Sequence, residues 1–258
     1  MYLDKRQFPE GTRISRPAIC EYEDYFNKKL PEEIYLTNPQ YMTTTYSPNY
    51  SLLPLWTLDF SECKVFEIGR LSATFKIKDD IVLSMPVMKK LTMSYLNLTK
   101  IDGTPLNITY EDMDSIEEII GRLESVVGKV IYRGQSTNLT RISEIFYTGK
   151  YPREMYFEID CSKVTSMNPF GYGTFTEVTY ISGFPNMKAS IASSYSLASF
   201  PNLTYESCID ILNNLYDFTG NGEKPTSSQG KLKVHANFLS AVGDQISIAT
   251  NKGWVVTA

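Results

Sequence analysis

The feature that most restricts what this chain can fold into is a self-match about a hundred residues apart. Pro86-Val-Met-Lys-Lys-Leu-Thr-Met-Ser lines up with Pro185-Asn-Met-Lys-Ala-Ser-Ile-Ala-Ser. After a gap, Pro105-Leu-Asn-Ile-Thr-Tyr-Glu continues against Pro201-Asn-Leu-Thr-Tyr-Glu. Internal similarity of this kind means that one supersecondary unit is used more than once and buries its apolar face against its neighbour. In both copies T-Y-E opens a run with helical spacing: Ile116, Ile119, Ile120 and Leu123 in the first, Cys208, Ile211, Leu212 and Leu215 in the second. Thr109 with Asp112 resembles a capping box, and Thr204 with Glu206 supplies a cap and a first-turn acid. The expected unit is therefore strand, turn, helix, strand.

A second pattern runs through the same region. The template L-x-x-L-x-L-x-x-[NC]-x-L is met by Leu55, Leu58, Phe60, Cys63 and Val65, and again by Met88, Leu91, Met93, Leu96 and Leu98. Looser copies fall at Val127, Val130, Tyr132, Gln135 and Thr137, and at Leu232, Val234, Asn237 and Leu239. Alternate residues of a short strand point into a shared core, and the Asn or Cys satisfies backbone groups where the chain bends. The spacing of these copies is irregular and wider than the usual 20–29 residues. Met155 to Asp160 and Thr176 to Ile181 read as further strands. Asp244 to Lys252 reads as a short helix with Gly253 at its left-handed C′ position, followed by a closing strand at Trp254-Val-Val.

Residues 1–50 differ from residues 51–258. They carry charges and Pro9, Pro17, Pro31, Pro39 and Pro48, with one helix-like stretch from Glu21 to Lys29 and no periodic apolar residues for a core. They are expected to be either an arm laid on a partner or an irregular cap on the domain that follows.

Leu203 to Gly220, followed by Leu232-Lys-Val and by Ile248 to Trp254, resembles the terminal module of BspA-like leucine-rich repeat proteins, with weaker similarity reaching back to about residue 53. Such proteins occur on the surfaces of gut Bacteroidetes and Firmicutes, and in tail, fibre and baseplate proteins of their phages. The resemblance implies an α/β fold, a leucine-rich-repeat-like solenoid of short parallel strands with interspersed helices, and a binding role. The N-terminus has no apolar signal region, which favours a virion protein assembled in the host cytoplasm over an exported bacterial one.

Composition bears mainly on chemistry. One His among 258 residues, beside 18 Tyr and 13 Phe, offers much for packing and contact and little for proton transfer. His235 has no nucleophile motif to serve. Asp79-Asp80 and Glu111-Asp112 could be paired as a glycosidase dyad only on paper. Cys20, Cys63, Cys161 and Cys208 are too scattered for zinc and read as free buried thiols. The Gly171-Tyr-Gly173 and Gly220-Asn-Gly222 pairs read as turns, and the N-x-[ST] matches at Asn49, Asn97, Asn107, Asn138 and Asn202 as turn and cap residues. No cofactor, metal, nucleic acid or membrane insertion is expected from a net charge of −4 without a basic face or long apolar run.

What remains is surface. Residues between the inward positions would form an exposed sheet face: Asp59, Ser61, Thr92, Ser94, Ile131, Arg133, Glu158, Asp160, Lys233 and His235. The expected function is a non-enzymatic phage virion-associated binding protein of fibre, tail or decoration type. Residues 1–50 would attach it to other virion subunits, and the repeat domain would recognise a host cell-surface protein or glycan, as a homo-oligomer. The alternatives are a bacterial BspA-like surface adhesion module and a carbohydrate-active enzyme on a solenoid.

Overall fold

The computed structural model describes residues 33–36, 60–61, 63–68, 74–77, 79–94, 97–100, 102–122, 128–146, 152–171, 173–192 and 196–258. The protein is α/β, built of parallel strands in sheets with few helices, in a repeat-like arrangement. One sheet joins β1 (Glu33–Leu36), β2 (Val65–Ile68), β5 (Lys90–Ser94), β8 (Glu118–Arg122), β10 (Arg141–Phe146) and β12 (Ser166–Phe170), in that order. A second joins β4 (Ile81–Ser84), β7 (Ile108–Glu111), β9 (Lys129–Arg133), β11 (Glu154–Glu158) and β13 (Tyr180–Ile181). The short β3 (Thr74–Ile77) and β6 (Asn97–Lys100) pair with each other.

Every pairing between these strands is parallel, and the register gives the length of one repeat. In the first sheet Val65 pairs with Lys90, Lys90 with Glu118, Glu118 with Arg141 and Arg141 with Ser166. In the second, Ile81 pairs with Ile108, Ile108 with Val130, Glu154 with Lys129 and with Tyr180. Each of these steps is about 22–28 residues, inside the 20–29 range of the template, whereas the step from Glu33 of β1 to Val65 of β2 is 32. The spacing looks irregular in the sequence because several copies carry other apolar residues at the template positions.

The two sheets share one core. At the corner between them, tight turns put one buried residue on each side: Met85 and Met88 around Pro86-Val87, Phe184 and Met187 around Pro185-Asn186, and Phe60 and Cys63 just before β2. The Met88 and Met187 amides each donate to the carbonyl three residues back, so the Pro-x-Met-Lys self-match marks equivalent corners. The template places β5, β9 and β14 (Lys231–Lys233) correctly. It fails at its first copy, where Phe60 and Cys63 flank a turn and the strand begins only at Val65. Leu55, Leu58, Leu96, Leu123 and Val127 lie outside the described residues. Between Thr176 and Ile181 only Tyr180–Ile181 is strand, the rest being a turn closed by the Val178 amide on Phe175 O.

The first expected helix is a strand. Ile119 points into the core and Ile120 outward from β8, while Ile116 fills the corner before it, and Thr109 lies inside β7 rather than at a cap. A run of β-branched residues ending in Gly121 fits a strand between β5 and β10 better than a helix interior. Helices among the described residues are therefore not interspersed; they gather near the C-terminus. Asn97 likewise sits in a strand rather than a turn.

The second expected helix, α1 (Tyr205–Asn213), is present, capped by Thr204, whose side chain accepts from the Ser207 amide. It begins where the next strand of the second sheet would start: the Thr204 amide donates to Thr179 O, as Thr179 does to Arg153 O and Arg153 to Gly128 O. The fully buried Ser207 hydroxyl accepts from the Ile181 amide at 2.8 Å and donates to its carbonyl at 2.9 Å. One side chain thus stands in for a strand and closes the edge of β13, which would otherwise expose pairing groups. At the far edge of the first sheet, β12 carries Pro169, a residue that sheet interiors exclude.

Beyond α1 come β14, α2 (Ala236–Val242), a 3-10 turn (Gly243–Ile246), α3 (Ser247–Asn251) and β15 (Val255–Thr257), which pairs with β14. Gly253 has φ +86, as its C′ position requires. Just before it, the Lys252 amine donates to the carbonyls of Leu212, Asn213 and Leu215 at 3.3, 2.6 and 3.0 Å, capping the end of α1. Replacing Lys252 with Met should cost about 2 kcal/mol, since charge-assisted bonds to otherwise orphaned carbonyls are lost. Urea unfolding of the variant measures this, and a loss below about 0.5 kcal/mol would show that water caps the helix equally well.

Cys63, Cys161 and Cys208 are buried, and burial raises the Cys161 and Cys208 thiols, the latter to about 12. Cys20 lies outside the described residues, as does the Glu21–Lys29 stretch. Of residues 1–50 only Glu33–Leu36 is described, running parallel to β2.

Candidate recognition surface

The strands of the second sheet alternate cleanly. Ile81 and Leu83, Ile108 and Tyr110, Val130 and Tyr132, and Met155 and Phe157 are buried, with Tyr110 and Tyr132 stacked at 5.1 Å. A period of two then turns the intervening residues outward, and parallel pairing lines them up across the sheet about 4.8 Å apart. Three rows result.

The middle row is Val82, Thr109, Ile131 and Tyr156. Val82 is 58% exposed, and Thr109, Ile131 and Tyr156 are half-buried. The Tyr156 ring stacks on Tyr180 at 4.7 Å, and the Lys129 amine lies 4.8 Å from its centroid. Burial and the Glu154 carboxylate, which accepts from its hydroxyl, raise the Tyr156 pKa. Tyr180 donates to Asp210 of α1, and burial together with that carboxylate raises it well above the ordinary range.

The row toward the strand starts is Asp80, Asn107, Lys129 and Glu154. Asn107 donates twice to Asp80 and accepts from the Lys129 amide, each at 2.9 Å, and Lys129 pairs with Glu154 at 3.3 Å. Burial pushes the Asp80 pKa up, but bonds from Lys100 and Asn107 outweigh it and hold the carboxyl below its usual value. The row toward the strand ends is Ser84, Glu111, Arg133 and Glu158. Arg133 bonds Glu158 at 2.7 and 3.2 Å and approaches Glu111 at 3.7 Å, and Glu158 raises its pKa.

Four residues of the expected face, Ile131, Arg133, Glu158 and Asp160, come together here, Asp160 accepting from Asn186 just past β11. The others do not join them. Thr92 and Ser94 belong to β5 in the other sheet, and Thr92 is buried rather than exposed, its Oγ1 without a hydrogen-bond partner. Alternation places Thr92 outward correctly, but an outward strand position is exposed only where nothing covers that side of the sheet. Ser61 is exposed in the Phe60–Cys63 turn, and Asp59 lies outside the described residues. Lys233 is in β14, and His235 is no strand residue: it caps α2, its Nδ1 accepting from the Asn237 amide at 3.1 Å. Sequence reasoning misses Val82 and Thr109 because the template skips Ile81–Ser84 and Ile108–Glu111, although both alternate; Lys129, Glu154 and Tyr156 share the outward parity of Ile131 and Glu158 but precede the two positions per strand that the expected face takes.

The carboxylates that could be paired on paper sit apart. Asp80 precedes β4, whereas Asp112 follows β7 and accepts from Ser84 at the other end of the ladder, about 13 Å along the strand direction. Among the described residues no three His, Cys, Asp or Glu gather as metal ligands, and no helix is long and apolar enough to cross a membrane. Comparison with protein-family models, with curated proteins and with solved structures finds no match.

Proposed function

We propose that this chain is a leucine-rich-repeat-like solenoid serving as a phage virion-associated recognition protein. In this reading residues 1–50 hold it to the particle, and the outward rows of the second sheet meet a component of the host cell surface. The observation that carries it is the middle row: aliphatic and aromatic side chains held outward on a rigid ladder, between two rows of paired charges. An apolar centre inside a polar rim is the anatomy of a contact surface. The 22–28-residue step supports the solenoid, and the BspA-like resemblance supports the virion setting.

The test is binding of the labelled full chain to cells of gut Bacteroidetes and Firmicutes. Saturable binding is expected, reduced about tenfold or more by Ile131→Asp at the centre of the face. Particles assembled with a chain lacking residues 1–50 should not contain it. Absence of binding to every candidate host, or undiminished binding by the Ile131 variant, would refute the recognition role.

A further inference from the structure

The charge on this face points to the kind of partner it fits. Where the strands of the second sheet end, Glu111, Asp112, Asp114, Glu158 and Asp160 line one edge, with Arg133 among them. Five carboxylates against one guanidinium leave this edge at −4, the formal net charge of the whole 258-residue chain. The remaining charges of the chain sum to zero. The carboxylates are also fixed in place. Asp112 is held by Ser84 at 2.6 Å, Asp114 by the Gln135 amide at 2.7 Å and Asp160 by Asn186 at 2.8 Å.

We propose that the occupant of this face is a protein surface with an apolar centre and a basic border, resting on the reading of the face as a recognition surface. Three observations select it. Sugars are held by stacking on open aromatic faces, whereas the aromatic of this row, Tyr156, already stacks on Tyr180 and has the Lys129 amine 4.8 Å from its ring centroid. Nucleic acid and anionic polymers are repelled by the acidic edge. A second copy of this chain would set like charge against like charge, which disfavours association. By contrast Val82 and Ile131 are β-branched and stiff, so they lose little freedom on contact with an apolar patch, and Lys or Arg at its border would meet carboxylates already in position.

The experiment uses the purified full chain with cytochrome c as a basic protein probe, and succinylated cytochrome c as its acidic twin. Cytochrome c should bind at 20 mM salt and weaken about tenfold by 150 mM, as expected for a charge-driven contact. The twin should not bind. The Glu111→Lys/Glu158→Lys variant should lose tenfold or more, whereas Glu206→Lys/Asp244→Lys, with the same change of net charge in the C-terminal helices, should stay within about threefold. Circular dichroism checks that both variants fold. Equal binding of the twin, no binding of cytochrome c, or greater loss in the C-terminal variant would overturn the proposal. On host cells, protease treatment should remove the binding sites and periodate should spare them. Binding that survives protease and is lost to periodate would reject the protein partner while leaving host recognition intact.

Discussion

Replacing Gly134 with alanine is expected to destabilise the protein by about 3 kcal/mol or more, although the change adds one methyl group. Gly134 directly follows β9, where the chain passes the preceding repeat at close range. A Cβ there would lie 2.5 Å from the Met113 carbonyl carbon and oxygen and 2.7 Å from its Cα. These are backbone atoms of a neighbouring rung, so no side chain can swing aside, and the rung itself would have to shift. That rung is fixed by the Met113 amide donating to Arg133 O at 3.0 Å, one residue from the intruding methyl. Gly128, at the other end of β9, meets the same obstacle, since a Cβ there would run into the Leu106 carbonyl oxygen. The informative control is Gly103→Ala. Gly103 has φ +77 but open space around it, so its substitution carries only the backbone cost of about 1 kcal/mol. Urea unfolding of the three proteins measures the ranking. A Gly134 variant no worse than the Gly103 variant would mean that successive repeats are not in contact at this corner.

How much of this is legible in the sequence depends on whether a residue's role is local or set by a neighbouring rung. Thr204, Gly253 and the alternation of Met155 to Glu158 announce themselves over a few positions, and the structure bears each of them out. The Ile116–Leu123 run does not, because apolar residues at i, i+3 and i+4 also suit a buried strand preceded by a corner residue. The choice between them is made by β5 and β10 on either side, which no local window contains. The T-Y-E match misleads for a related reason. Thr204 sits at the rung position of Thr179, whereas Thr109 is already inside β7, so identical tripeptides occupy different places in the repeat. The face is half legible. Alternation gives Ile131, Arg133 and Glu158, but which outward residues share a sheet follows from the register, and Lys233 and His235 belong elsewhere.

The second large effect is expected at Phe200. Its ring lies against Phe170 at 4.7 Å, Phe175 at 4.7 Å and Phe146 at 5.4 Å, and all four are fully buried. Phe146 ends β10 and Phe170 ends β12, while Phe200 belongs to the segment leading into α1, so the cluster joins the end of the first sheet to the C-terminal module. Phe200→Ala should cost about 4 kcal/mol, from lost burial, a cavity among rings fixed by β10 and β12, and three broken aromatic contacts. In a chain of this size that corresponds to a fall in Tm of roughly 8–16 °C. Phe200→Leu refills much of the volume without the ring and should recover about half of the loss. If parallel repeats pass stability along the stack, the variant lowers a single cooperative transition. If the C-terminal module is independent, only the far-ultraviolet signal of its helices shifts and the strands melt unchanged, which would place the cooperative boundary at this cluster.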